Sequence, residues 1–272
     1  NPSFFAARKI MAQLTAAQVT AAIEEMAPLH YQETYDNAGF CVGYPQAEVT
    51  GVLLCVDVTG AVLDEALQTG ANLIISHHPV IFKGLKRLTG TTCTERIVEK
   101  AIKNNLILYA AHTNIDSVRG GVSEAMAEKL QLHNRQILAP KEGNSIGFGI
   151  LGDLPATLPA KDFLQLVKTN FNTPCIRYSQ PPATAISRVA VCGGSGAFLL
   201  NDALAAGATA LVSADFKYHD FSDAGNRLLI ADIGHYESEK DVLGIFYHCL
   251  TKKMPNFAVR LTKNDTNAIN YF

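Results

Sequence analysis

Apolar residues fall in short unbroken runs along this chain, separated by amphipathic stretches that stop at glycine. Val52-Leu53-Leu54-Cys55-Val56 is one such run, and Leu73-Ile74-Ile75 is the next. Between them come a turn at Gly60 and a helical pattern that ends at Gly70. Strands buried on both faces of a parallel sheet read as continuous apolar runs, and helices commonly stop at glycine. The segment predicts a β-α-β unit with a right-handed crossover.

The same unit occurs twice. An ungapped offset of 137 positions carries residues 52–76 onto 189–213, aligning Cys55 with Cys192, Ala66-Leu67 with Ala203-Leu204, and Gly70-Ala71 with Gly207-Ala208. Two copies are too few for a solenoid. They predict an α/β fold of two similar lobes packed together. We assign residues 11–130 with 240–272 to the first lobe and 131–239 to the second.

The copies stay parallel further on. Each reaches a further apolar run, Leu106-Ile107-Leu108-Tyr109 or Leu228-Leu229-Ile230, and then a histidine four positions before an acid: His112 to Asp116, His235 to Glu239. Ligands of open α/β sheets lie at the carboxyl ends of the strands, where these motifs fall. The pair His77-His78 follows Ile74-Ile75 at the same kind of position. In the second copy its partners are Ala214 and Asp215, so the pseudo-symmetry breaks there. We expect helices at 122–130, 160–170 and 235–252, a strand at 147–151, and final strands around 257–259 and 269–272.

Composition narrows the picture. The net charge is −2 with no basic block, which argues against a nucleic-acid surface. No apolar run approaches the roughly 18 residues of a membrane span. The six cysteines are scattered without a CxxC pair, unlike a disulfide framework or a thiolate zinc site, and suit a reduced, cytoplasmic protein. Residues 1–10 lack the apolar stretch of a signal peptide. Met11 has the look of a natural start, which makes 1–10 an N-terminal extension or an expression remnant.

Three segments then carry chemistry. Pro79 ends the strand after His77-His78, and a turn there can splay the two rings toward different ions. On a helix, His235 and Glu239 share one face at i, i+4. Asp116 lies between a strand and the helix at 122–130. Each has a plainer alternative: surface histidines, an N-cap for Asp116, and a first-turn acid, for which Glu237 fits better than Glu239. Together, His77, His78, Asp116, His235 and Glu239 form a mixed nitrogen and oxygen donor set. Such a set suits two divalent ions of Zn, Mn, Fe, Co or Ni rather than Ca. Too few donors exist to saturate two ions, so positions remain for water, as in catalytic sites. His112, Lys217 and His219 are candidate acid/base or substrate-binding groups. The turn Gly193-Gly194-Ser195-Gly196 is either a phosphate cradle or a tight turn; the Gly-Lys-Ser/Thr of a Walker loop is absent.

These residues resemble a known family. Ser76-His77-His78-Pro79-Val80-Ile81-Phe82, His112-Thr113-Asn114-Ile115-Asp116 and Gly234-His235-Tyr236-Glu237-Ser238-Glu239 look like the NGG-interacting-factor-three-like family, also described as GTP cyclohydrolase type 2-like dinuclear metal proteins. The resemblance runs from about Leu14 to Phe272. It implies that His77 and His78 serve different ions, that Asp116 serves one and His235 the other, and that Glu239 bridges. It also implies a ring-shaped homohexamer with sites facing an internal cavity. Lys217-Tyr218-His219 resembles a family stretch beside the metals. Two departures stand out: Tyr35-Asp36-Asn37 replaces the family's Trp-Asp-Asn, and only a short link occupies the place of the PII-like insert of longer members. The expectation is a metal-dependent hydrolase of a small substrate such as a nucleotide, phosphoester or cyclic amide. The alternative is a metal-handling or regulatory scaffold without turnover.

Overall fold

A computed structural model describes residues 14–272 apart from Glu142 and Asn144. The extension proposed for residues 1–10 lies outside the described residues. The chain starts with α1 (Ala16–Glu24), whose N-cap Thr15 and Gln18 bond each other's backbone N–H. Then come β1 (Gly39–Val42), β2 (Val52–Cys55), α2 (Gly60–Thr69), β3 (Leu73–Ser76), α3 (Cys93–Lys103), β4 (Ile107–Ala110), the one-turn α4 (Thr113–Asp116) and α5 (Val122–Lys129). The next elements are β5 (His133–Pro140), β6 (Gly147–Leu158), α6 (Ala160–Phe171), β7 (Arg177–Tyr178), β8 (Ile186–Ser195), α7 (Leu200–Ala205), β9 (Ala210–Ala214), α8 (Tyr218–Asp223) and β10 (Leu229–Asp232). The chain closes with α9 (His235–Glu239), α10 (Val242–Lys253) and β11 (Val259–Leu261). No helix among the described residues is long and apolar enough to cross a membrane.

Two sheets result, ordered β1-β4-β3-β2-β11 and β5-β6-β8-β9-β10-β7. The first sheet is parallel through β4-β3-β2-β11, with β1 antiparallel beside β4; the second has the parallel centre β10-β9-β8, with β7 and β6 antiparallel on either side. The repeat is visible in the register: Val52 pairs with Leu73 as Val189 pairs with Ala210. The helix ends repeat too. Gly70 and Gly207 both have φ +72°, and the following N–H of Ala71 or Ala208 bonds the carbonyl of Ala66 or Ala203. A Cβ makes this left-handed conformation costly, which is why both copies stop at glycine.

Both sheets are buried on both faces, which explains the unbroken apolar runs. Leu54, Ile75 and Tyr109 point into one cluster with Val19 and Ile23 of α1 and Phe246 of α10. Leu53, Ile74 and Leu108 point into another with α2 and α3. In the second sheet, Val191, Val212 and Ala231 meet α5 and α6, while Ala190, Leu211 and Ile230 meet α7.

The structure departs from the sequence reading in three places. The helix expected over 235–252 is two helices, broken at Lys240-Asp241. α9 packs on β8 of the second sheet and α10 on the first-sheet cluster, so one straight helix could not serve both. Lys129 of α5 pins the break through an ion pair to Asp241 at 2.5 Å. The strand expected at 147–151 runs on to Leu158. Of the two tail strands, only β11 forms, parallel to β2; residues 269–272 carry no regular structure.

Candidate metal centre

The backbone at the end of β3 keeps pairing with β2 beyond the strand proper. The N–H of His77 bonds Cys55 O at 3.2 Å, and that of His78 bonds Val56 O at 3.0 Å. Consecutive residues in extended pairing point to opposite sides. His77 is fully buried, His78 is half-buried, and their ring centroids stand 4.9 Å apart.

Each histidine of the cluster is oriented through Nδ1. His77 donates to Ala111 O at 2.9 Å, His78 to Asp57 Oδ1 at 2.8 Å, His112 to Asp36 Oδ1 at 2.7 Å and His235 to Asp215 Oδ2 at 2.6 Å. A hydrogen bond at one ring nitrogen fixes the tautomer and leaves the other as a donor to an ion. Asp36, Asp57 and Asp215 were not singled out from the sequence as orienting groups. The available signal was that Asp57 and Asp215 each follow a strand on the rim that carries the histidines.

Glu239 is the centre of convergence. Its Oε2 lies 2.9 Å from His78 Nε2 and 3.1 Å from His235 Nε2, and its Oε1 lies 3.6 Å from His77 Nε2. His77 Nε2 is also 3.7 Å from Asp116 Oδ1. Both of these atoms are buried and have no hydrogen-bond partner. Two ligands of one ion, each about 2.0–2.2 Å from it, stand roughly 3–4 Å apart. The gap between His77, Asp116 and Glu239 Oε1 is therefore too wide for hydrogen bonds and right for an ion. His78, His235 and Glu239 form a second group, and the ring nitrogens of His77, His78 and His112 also lie within 4.8 Å of one another.

The charges are interlocked. Burial favours the neutral form of His78 and His235, but hydrogen bonds outweigh it. Asp57 and Glu239 raise His78 to about 9, and Asp215 and Glu239 raise His235 to about 11. Burial opposes ionisation of Glu239, yet His77, His235 and His78 hold it well below the usual carboxylate range. Asp116 goes the other way: burial pushes it up to about 7, with His77 acting against the shift.

Asp116 ends α4, and α5 is preceded by Gly121, so Asp116 is not an N-cap. Glu237 faces away from the cluster and accepts from Asn267 Nδ2 at 3.0 Å. The glycine turn also has a structural task. Gly194 N–H donates to Ser238 Oγ at 2.8 Å, and Gly194 O accepts from Ser213 Oγ at 2.9 Å. Its backbone is thus committed inward rather than offered to a phosphate. His112 lines the cavity at the cluster, whereas Lys217 and His219 are exposed at the start of α8 and outside that lining.

The chain that carries this geometry is similar to known proteins. The model of the Duf34/NIF3 (NGG1p interacting factor 3) family matches residues 14–268. A GTP cyclohydrolase 1 type 2 homolog of Clostridium perfringens is 35% identical over 226 residues, covering 81% of this chain and 85% of the relative. One of Clostridium acetobutylicum is 33% identical, covering 80% and 82%. Among solved structures, a Bacillus cereus protein related to NIF3 has a TM-score of 0.90 at 25% identity, covering 96% of this chain and 99% of that one. The Staphylococcus aureus protein SA1388 has a TM-score of 0.88 at 27% identity, covering 96% and 100%.

Proposed function

Since this chain belongs to the Duf34/NIF3 family, we propose that it is a dinuclear metal-dependent hydrolase of a small substrate. The observation that carries this reading is the buried, unpartnered pair His77 Nε2 and Asp116 Oδ1 beside Glu239. A buried polar atom without a partner costs about 1–3 kcal/mol, and an ion supplies the missing partner. His77, Asp116 and Glu239 Oε1 would hold one ion; His78, His235 and Glu239 Oε2 the other. Zn, Mn, Fe, Co and Ni all suit these donors.

Two such ions supply positive charge and a water acidic enough to react near neutral pH. His112, fixed by Asp36, is placed to take or give a proton at Nε2. Lys217 and His219, exposed and outside the cavity lining, carry no part of this reading. The name borne by the relatives supports a cyclic amide or nucleotide ring opened by water. Assembly into a ring-shaped homohexamer and residence in the cytoplasm belong to the same reading; light scattering that finds a stable monomer at micromolar concentration would remove the ring.

The test is reconstitution with each metal, followed by a screen of nucleotides, phosphoesters and cyclic amides. Turnover abolished by a chelator and restored by metal supports the hydrolase. Full loading with two ions and no turnover of any class would favour the scaffold.

A further inference from the structure

The cavity beside the cluster has aromatic walls that the metal chemistry does not use. It measures about 240 Å³, below the roughly 300–1,000 Å³ of drug-sized ligand sites, so it suits one small ring system rather than a whole nucleotide. Tyr35 lines it from the first lobe and is backed by Phe82, ring centroids 6.5 Å apart; Phe82 stands 6.0 Å from His112, edge-on. Phe148 and Phe198 line it from the second lobe as a T-shaped pair at 5.5 Å. Tyr35 is 65% exposed, Phe198 58% and Phe82 44%. Single exposed aromatics are ordinary, but here four from separate segments gather at one polar cluster.

Apart from the ions of the proposed centre, the cavity offers a phosphate no free cationic side chain among the described residues: the ring nitrogens of His235 already face Asp215 and Glu239. No lysine or arginine lines the cavity among the described residues. Lys141 approaches the Phe148 ring at 4.6 Å but is already paired with Glu33. The Gly194 N–H is taken by Ser238.

The geometry points to a planar, uncharged heteroaromatic ring as the group this cavity takes. The ring would pack on Tyr35 and Phe198, with its polar edge directed to His112. Aromatic side chains favour offset or edge-to-face contact with such rings, which makes Tyr35 and Phe198 specificity-determining residues. The assignment rests on the metal reading in that the ring's polar edge would meet the ions.

The test uses zinc-loaded and zinc-free full-length protein, titrated with hypoxanthine, uracil, 5,6-dihydrouracil and inorganic phosphate by calorimetry and saturation-transfer NMR. Dihydrouracil keeps the polar edge of uracil and loses the aromatic face. Hypoxanthine and uracil are expected to bind more tightly than dihydrouracil. Tyr35→Ala and Phe198→Ala should each weaken hypoxanthine by about 2- to 10-fold, Tyr35→Phe and Phe198→Tyr should restore it, and zinc content should not change in any variant. Protein that takes zinc but binds the rings no better than dihydrouracil, or equally well in both alanine variants, overturns the ring site and leaves the metals standing. Phosphate binding to the zinc-free protein in place of hypoxanthine overturns it as well. Protein that takes none of Zn, Mn, Fe, Co and Ni yet binds hypoxanthine through Tyr35 and Phe198 keeps the ring site and removes the metal reading.

Discussion

Gly194 lies directly against the carboxylate of Glu239, so close that a Cβ on Gly194 would overlap Oε1. Its φ of +61° adds a second demand for glycine. Gly194→Ala should therefore displace Glu239 and empty both candidate ion sites, at a stability cost of about 1–3 kcal/mol for overpacking. Gly207→Ala is the control. It shares the positive φ, at +72°, but has open space around it, so it should cost about 1–2 kcal/mol in backbone strain and keep its metal. Elemental analysis and thermal unfolding of the two variants decide the matter; a Gly194→Ala protein with full metal content would refute the argument.

Glu239 and Asp116 should behave differently when truncated. Glu239 has one oxygen toward His77 and the other toward His78 and His235, whereas Asp116 reaches only the His77 side. Glu239→Ala is expected to lose both ions and Asp116→Ala mainly one. Two ions retained by Glu239→Ala with unchanged affinity would end the bridging role.

Asp36 sets an acid limit on the fold. Burial would raise its pKa, but hydrogen bonds from His112 and Thr113 outweigh that and hold it at about 2, below the ordinary 3.8. A depressed carboxylate contributes stability that is present above its unfolded value and lost as pH falls through the folded one. The melting temperature of Asp36→Asn should lie below that of the parent at pH 7, and the gap should close as pH approaches 2. A gap that is constant over this range would mean that Asp36 acts by packing alone.

The thiols offer a check on burial next to the site. Burial pushes the Cys192 thiol up to about 12 and raises that of Cys55 as well, so little thiolate exists to react. Native alkylation at pH 8 followed by mass spectrometry should label the exposed Cys93 and Cys175 first and leave Cys55 and Cys192 unmodified. Rapid labelling of Cys192 in folded protein would show that the cavity wall opens.

The parallel centre of each sheet was legible because its strands are buried on both faces and repeat at a fixed offset. The antiparallel strands were legible only in part: residues 147–151 of β6 read as a strand, but its run to Leu158 and the whole of β5 did not. β5 begins His133-Asn134-Arg135-Gln136 and is largely exposed at a sheet edge, so it shows no apolar run. The break at Lys240-Asp241 was invisible for a different reason: both residues look like ordinary helix surface, and the break comes from packing on two lobes at once. At the site, the histidines and acids stood out by their spacing at strand ends. Their orienting partners did not, because Asp57 acts on His78 across 21 positions and Asp36 on His112 across 76. Pairings at that range depend on how the sheets close, which local pattern does not encode.

The broken helix has one more consequence. His77, His78 and Asp116 hang from the first sheet, while His235 and Glu239 ride on α9 against the second. Any ion held by both sets acts as a clasp whose two halves belong to different bodies. A ligand that binds only the closed arrangement adds about 2.7 kcal/mol at a hundredfold excess over its Kd. With the proposed ions in place, the grip between the lobes would follow metal supply: scarcity would loosen the molecule along this seam, and replenishment would latch it shut.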